Sequence, residues 1–205
     1  MAVLTWDLPG TRTYQYGIQK VALYGALGES SNWDGVTAIS EDSDGSEFEE
    51  IFFDSDKVFT VVYRGYFSCS VSAIGFPRKF LNYLGVKESR PGLFITNQEK
   101  SLFNMSYQTL SGDGGYKIHL VSNIIATRES RDHKTIESNT TPDVMTWNFS
   151  TIPDKSYGLV KPSSHIVLDS NKIDSITLAM VENYLYGTQS TDPMFPSRED
   201  FLNII

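Results

Sequence analysis

Few residues of this chain have side chains suited to acid–base or metal chemistry, and they are scattered. The three histidines, His119, His133 and His165, lie far apart in the sequence. The single cysteine, Cys69, excludes an internal disulfide and a cysteine-rich zinc site, and we expect it to be a small buried apolar residue. His119 and His165 lie in strand-like segments, where we expect each to fill a sheet face. His133 lies in a charged segment, where we expect it to be solvated.

The densest group of ionisable residues is an acidic segment, residues 41–56. It contains eight acids and no base, while the rest of the chain balances at 17 acids and 17 bases, so the segment carries the whole net charge of −8. An EF-hand calcium loop needs acidic ligands at its first and twelfth positions around a central glycine. With Gly45 as that glycine, these positions fall on Ser40 and Ile51, and the bidentate ligand is missing. Two interpretations stay open: a solvated acidic loop, or a charged face that lines another surface.

Motifs for catalysis or cofactor binding are absent from the sequence. There is no G-x-S-x-G elbow, no phosphate-binding GxxxxGK[ST] loop, no G-x-G-x-x-G and no HExxH. We therefore predict no enzymatic activity and no catalytic, cofactor-binding or metal-binding residues. A net charge of −8 disfavours gripping nucleic acid, because acids repel the phosphate backbone. No apolar run is long enough to span a membrane, and residues 1–7 do not resemble a signal peptide, so we expect a cytosolic protein or an assembly formed in the cytosol.

Period-two alternation dominates the chain and predicts a mostly β, antiparallel fold. Residues 67–73 alternate apolar and hydroxyl side chains, which predicts a strand with one buried face. A longer pattern over 101–125 predicts a hairpin around the glycine-rich turn 111–115. Further strands are predicted at 57–66 (with a bulge at Gly65), 145–149 and 164–168, and less regular ones at 14–24 and 36–40.

Helical spacing is confined to a few segments. Residues 77–84 predict a short helix that stops at Gly85, and residues 171–186 predict the main helix. Asp169 or Ser170 would cap the start of the main helix and Gly187 its end. A further short helix would begin at Ser197, with Asp200 placed as in a capping box. The main helix is predicted to carry one apolar stripe, formed by Ile173, Ile176, Met180, Val181, Tyr184 and Leu185.

The pattern as a whole indicates one domain, residues 1–205, with two polar loops. One is the acidic segment 41–56, and the other is the non-periodic segment 127–142. Loops of this length within a compact domain are usually functional or disordered. In a protein that assembles, they are suited to reaching out towards neighbouring subunits.

Three groups of motifs, in one order along the chain, resemble the major tail tube proteins of long-tailed (siphovirus) bacteriophages. The central group is residues 103–110 (FNMSYQTL), a glycine-rich turn and residues 115–120 (GYKIHL). The opening residues 1–7 (MAVLTWD), followed by Gly17, are similar too. The C-terminal group consists of residues 161–162, 169–170, 172–174, 185–188 and 191–193.

The resemblance implies a β-sandwich or half-barrel with a flanking α-helix, which is the phage tail tube fold. Such proteins form hexameric rings that stack around a tape-measure protein, and genomic DNA later passes through the lumen. The resemblance also implies a location in the virion tail after assembly in the host cytoplasm. Alternative interpretations are another tube-like component, such as a tail terminator or contractile-system tube, or a soluble β-sandwich that binds a small ligand.

Overall fold

A computed structural model of the chain describes residues 14–26, 28–42, 48–53, 56–62, 66–130, 142–153, 163–197 and 199–201. Strands dominate, and each described strand pair is antiparallel, which confirms the predicted mostly β, antiparallel class. The elements are β1 (Gln15–Gly25), β2 (Ser30–Asn32), β3 (Val36–Glu41), β4 (Phe48–Phe53), β5 (Asp56–Val62), β6 (Ser68–Ala73), α1 (Phe80–Tyr83), β7 (Lys87–Arg90), β8 (Leu93–Ile95), β9 (Phe103–Ser111), β10 (Tyr116–Arg128), β11 (Met145–Thr151), β12 (His165–Asp169) and α2 (Ser175–Tyr186).

Eight strands form the main sheet, in the order β2-β1-β9-β10-β11-β6-β3, with β12 paired to β10 outside this path. The long strand β10 pairs with several strands. Its register against β9 shifts between Val121 and Ile124. Before the shift it pairs with β12, and after it with β11. Asn123 lies at the shift with a φ of 53°, and its N–H donates to Asn104 Oδ1 at 2.9 Å. Asparagine tolerates this left-handed conformation better than most residues.

The main sheet curls over an aromatic core. Strands β1 and β3 come into contact, since β2 and the turn at 33–35 connect them. At the centre the ring centroids of Trp33 and Phe80 lie 4.6 Å apart, and those of Phe80 and Trp147 lie 5.4 Å apart. The Trp33 indole N–H also donates to the Gly75 carbonyl at 2.7 Å. The one-turn helix α1 thus contributes Phe80, which packs inside the curled sheet.

A second core separates the outer face of the sheet from helix α2. Alternation along β10 turns Ile118 and Leu120 outwards to pack with Val181 and Leu185 of α2. The intervening His119 points the other way, into the curled sheet. Both faces of β10 are therefore buried over residues 118–121.

A partly buried network of polar side chains holds α2 against the sheet. Glu182 accepts hydrogen bonds from Gln108 Nε2 at 3.1 Å and from the Tyr116 hydroxyl at 3.0 Å. Gln108 Nε2 also lies 3.1 Å from the Tyr186 hydroxyl. Lys20 Nζ lies 3.6 Å from the same Glu182 carboxylate. The helix is thereby fixed by directional contacts as well as by apolar packing.

The start of the main helix differs from its prediction. The N-cap is Asp174, whose carboxylate accepts from the N–H groups of Ile176 at 3.1 Å and Thr177 at 2.9 Å. The predicted cap residues serve the preceding turn: Asp169 accepts from the N–H of Asn171, and Ser170 accepts from a backbone N–H of β10. Both predicted caps were wrong because α2 begins only at Ser175, so Asp169 and Ser170 lie in the turn before it.

The predicted apolar stripe of α2 was also wrong in part. Val181 and Leu185 are buried, but Ile176 is 73% exposed and Met180 is 47% exposed. The helix meets the sheet with the face that carries Val181, Leu185 and the polar anchor Glu182. Because successive residues turn by about 100° around a helix, Ile176 and Met180 lie beyond that face.

The predicted C-terminal end of α2 and the predicted capping box at Ser197 are confirmed. Gly187 ends α2 with a φ of 76°, and its N–H donates to the Asn183 carbonyl at 2.9 Å. Ser197 and Asp200 form the expected capping box, with Ser197 N–H to Asp200 at 3.2 Å and Asp200 N–H to Ser197 Oγ at 3.1 Å. Helix α1 is shorter than predicted, and Gly85 follows it with a φ of 72°.

The prediction of a continuous loop at 41–56 was wrong. Strand β3 extends through Glu41, β4 begins at Phe48, and β5 begins at Asp56. The apolar residues between the acids, such as Ile51 and Phe52, favour a strand, and β5 supplies its antiparallel partner. Residues 43–47, which include Gly45, and residues 54–55 lie outside the described residues.

Two further predictions concern segments that the structure describes only in part. Strand β5 ends at Val62, before the predicted end at residue 66, and Gly65 lies outside the described residues. In the segment predicted as a loop at 127–142, Thr127 and Arg128 instead continue β10 and pair with β11. Residues 131–141 of that segment, including His133, lie outside the described residues.

Candidate functional site

Strand pairing brings together two histidines that the sequence keeps apart. Strands β10 and β12 are neighbours, with Val121 opposite His165 and His119 opposite Val167. The two histidines are therefore diagonal neighbours on one face, close enough for long side chains to meet. His119 Nδ1 lies 3.1 Å from His165 Nε2, and the rings are inclined by only 16°.

Glu41 completes the cluster from a different part of the curled sheet. This residue ends β3, and its carboxylate oxygen Oε1 lies 3.5 Å from His119 Nδ1. The Tyr107 hydroxyl donates to the same oxygen at 2.6 Å. The Tyr107 ring also stacks on the His119 ring, with centroids 4.4 Å apart. Phe67 covers the far side, since its ring centroid lies 4.1 Å from that of His165.

The surroundings keep both imidazoles uncharged at neutral pH. Burial, with the proximity of His165, lowers the pKa of His119 to about 4, although Glu41 acts in the opposite direction. Burial also lowers the pKa of His165. The pKa of the Tyr107 phenol is raised by burial and by its hydrogen bond to the Glu41 carboxylate. At pH 7 the cluster is thus two neutral rings, a phenol and one acidic side chain, all carrying nitrogen or oxygen lone pairs.

The sequence interpretation of the histidines was right about the strands and missed their proximity. His119 and His165 do lie in strands, but their nitrogens converge with Glu41 in a group of donors able to hold a metal ion. The missing information was the register of β12 against β10, which alternation alone does not specify. Cys69 is buried in β6 as predicted, and burial raises the pKa of its thiol to about 12.

The β4–β5 hairpin presents apolar side chains to solvent. It forms a two-stranded sheet separate from the main one. Phe52 is 57% exposed and Phe59 is 53% exposed, with Ile51 beside them also exposed. A two-stranded hairpin is marginally stable by itself in water, so these exposed apolar side chains are suited to contact with a partner surface.

The β7–β8 hairpin has the same character and was not predicted. Its strands join through a turn at Pro91 and Gly92, where Gly92 has a φ of 84°. Leu93, Phe94 and Ile95 are all exposed, and no residue of either strand is buried. The Pro-Gly pair followed by three apolar residues was a usable turn-and-strand signal.

The protein class that fold and site define is a curved antiparallel β domain with a helix on its outer face and two apolar hairpins outside the main sheet. No family model matches the sequence. A comparison with curated proteins likewise finds no significant match. Within the described ranges, no helix is both long and apolar enough to cross a bilayer.

Proposed function

We propose that this chain is a structural subunit of a phage tail tube, with six copies forming a ring and the rings stacking into a tube. The exposed apolar side chains of the two separate hairpins carry the proposal. Leu93 and Phe94 on β8, with Phe52 and Phe59 on β4–β5, require cover that the main sheet does not provide. A second copy of the chain is the occupant we assign, because the motif order resembles that of tail tube proteins.

Sheet edges support the same proposal. Strands β2 and β3 end the path of the main sheet, so each has one side without a neighbouring strand in that path. Exposed edges promote pairing between chains unless they are covered. In a ring, the sheet of one subunit continues into the next, and closure of the ring removes the edges altogether.

The position of the acids is consistent with a tube that conducts DNA. Glu50 is exposed on β4 and belongs to neither of the two cores. Phosphates are repelled by an acidic wall, so such a wall would let DNA pass without holding it. The proposed partners are further copies of this chain, the tape-measure protein and other tail proteins, with DNA only in transit through a tail assembled in the host cytoplasm.

Negative-stain electron microscopy of the purified chain at high concentration tests the proposal, with size-exclusion chromatography and light scattering on the same sample. We expect rings or hollow tubes. Since tail tubes can require a nucleating complex, the experiment is repeated with tail-tip complexes from a related phage as seeds. Monomers under both conditions would overturn the proposal.

Paired variants connect assembly to the hairpins. Leu93→Ser and Phe52→Ser remove exposed apolar side chains, so they should prevent assembly while leaving the unfolding midpoint close to that of the wild type. Leu93→Met and Phe52→Leu keep apolar character at the same positions and should still assemble. Equal assembly by the serine variants and their apolar controls would show that the hairpins are not the interface.

A groove beside β1 gives some support to a second candidate, a small-ligand-binding β domain. The groove has a volume of about 850 Å³ and is lined by Val21, Trp33, Leu185 and Tyr186 among others. Ligand sites usually fall in the range of roughly 300–1,000 Å³. This candidate requires a monomer at all concentrations, so the light-scattering measurement separates it from the tube.

A further inference from the structure

The separations between the donor atoms of Glu41, His119 and His165 match those of a tetrahedral metal site. His119 Nδ1 lies 3.1 Å from His165 Nε2 and 3.5 Å from Glu41 Oε1. Zinc binds histidine nitrogen at about 2.0–2.1 Å, which places two tetrahedral ligands roughly 3.3 Å apart. All three donor atoms lie within 4.8 Å of one another. Small adjustments towards a common centre are open to Glu41, which is a partly exposed side chain at a strand end.

The hydrogen bond of His119 Nε2 fixes the tautomer of the ring, so that Nδ1 is the nitrogen with a lone pair for a metal ion. Thr109 Oγ1 donates to Gln15 Oε1 at 2.8 Å, so its lone pair is available to accept from His119 Nε2–H at 3.0 Å. That bond places the proton on Nε2, so Nδ1 carries a lone pair, which accepts from His165 Nε2–H at 3.1 Å until a metal ion takes the place of that proton. Metal-binding histidines usually have their second nitrogen oriented by such a hydrogen bond.

The other two donors are held in a similar way. Glu41 Oε1 accepts from the Tyr107 hydroxyl at 2.6 Å, which orients the carboxylate. His165 lies against Phe67, whose ring limits access of water from that side. Metal binding requires His165 to carry its proton on Nδ1, a tautomer open to any neutral imidazole.

We propose that Glu41, His119 and His165 form a binding site for a zinc ion. Imidazole nitrogens with one carboxylate select first-row transition metals, whereas calcium and magnesium prefer sites made of oxygen alone. The three protein ligands leave a fourth position for water or for a group from a neighbouring molecule. The site joins the edge strand β3 to β10 and β12, so a bound ion would clamp the curled sheet. This proposal does not depend on the tube, because every ligand lies within one chain.

Zinc titration of the full chain, after treatment with EDTA and removal of the chelator, tests the site. We expect saturation at one Zn²⁺ per chain by isothermal titration calorimetry. We also expect that bound Co²⁺ shows the intense visible absorption of four-coordinate cobalt, which calcium in excess does not suppress. An increase in the unfolding midpoint with added zinc should accompany binding.

Variants assign the binding to these residues. Glu41→Gln and His165→Gln should each weaken zinc binding by roughly tenfold or more. Glu88→Gln, an exposed carboxylate on β7, is the matched control and should bind zinc like the wild type. If His165→Gln does not fold, Glu41→Gln still decides the matter, since Glu41 is partly exposed. Absence of stoichiometric binding, or binding unchanged by Glu41→Gln, would overturn the proposal.

Discussion

His165 Nε2 lies 3.1 Å from His119 Nδ1, although 46 positions separate the two residues in the sequence. The contact exists because β12 pairs with β10 in a register that places Val121 opposite His165. Both rings are largely withdrawn from water, and each would place its positive charge beside the other if protonated. The pair therefore makes the folded state sensitive to acid.

The first prediction is that the metal-free protein loses stability between pH 6.5 and pH 4. His119 has a pKa of about 4 in the fold, against an ordinary value of 6.5. Between these values the unfolded chain binds a proton that the folded chain does not, so the free energy of unfolding falls as the pH falls. One pKa unit corresponds to about 1.4 kcal/mol, so we expect the histidine pair to account for a loss on the order of 3 kcal/mol. Urea denaturation at several pH values in this window measures the loss.

Comparison with a variant separates the histidines from the carboxylates, which also titrate in this range. His119→Gln should flatten the dependence of the unfolding free energy on pH between 6.5 and 4. If this variant does not fold, His165→Gln serves the same purpose, since burial lowers its pKa in the same direction. Parallel curves for wild type and variant would contradict the prediction.

Local alternation was sufficient to predict several strands. The pattern around Cys69, Val71 and Ala73 alternates between buried and half-buried positions in β6, as predicted. The predicted hairpin at 101–125 corresponds to β9 and β10 around the turn at 111–115. These predictions succeed because side chains alternate between the two faces of a strand, so a strand with one buried face shows alternating apolar and polar residues in the sequence.

The sequence pattern does not predict which distant strands pair with each other, and the candidate site depends on such a pairing. Nothing near His165 indicates that it lies beside β10, because strand order depends on the whole chain. The acidic residues were the other source of error. Glu49 and Glu50 interrupt the apolar residues of β4, so the segment was predicted to be a loop. Acids are uncommon in strands, but Glu50 is exposed and is therefore tolerated in β4 at little cost.

The second prediction concerns the polar network that fastens α2. Glu182→Ala removes the acceptor for Gln108 Nε2 and the Tyr116 hydroxyl, and Gln108 is fully buried. We expect a loss of about 1–3 kcal/mol in the free energy of unfolding, because buried donors lose a partner. Glu182→Gln retains a carbonyl acceptor and should lose less. Equal losses for both variants in urea denaturation would mean that packing of the side chain matters more than its hydrogen bonds.

The third prediction tests the two faces of β6 with one substituent. Val71 is fully buried in the inner core, whereas Ser70 on the opposite face is half-buried. Val71→Asn removes apolar burial worth roughly 1.5–3 kcal/mol and buries an amide without a ready partner, so the variant should lose about 3 kcal/mol or more. Ser70→Asn introduces the same side chain on the polar face and should change the free energy of unfolding by less than about 1 kcal/mol. Similar losses at both positions would contradict the inward orientation of Val71, and a folded, fully stable Val71→Asn would contradict the packing of the inner core around β6.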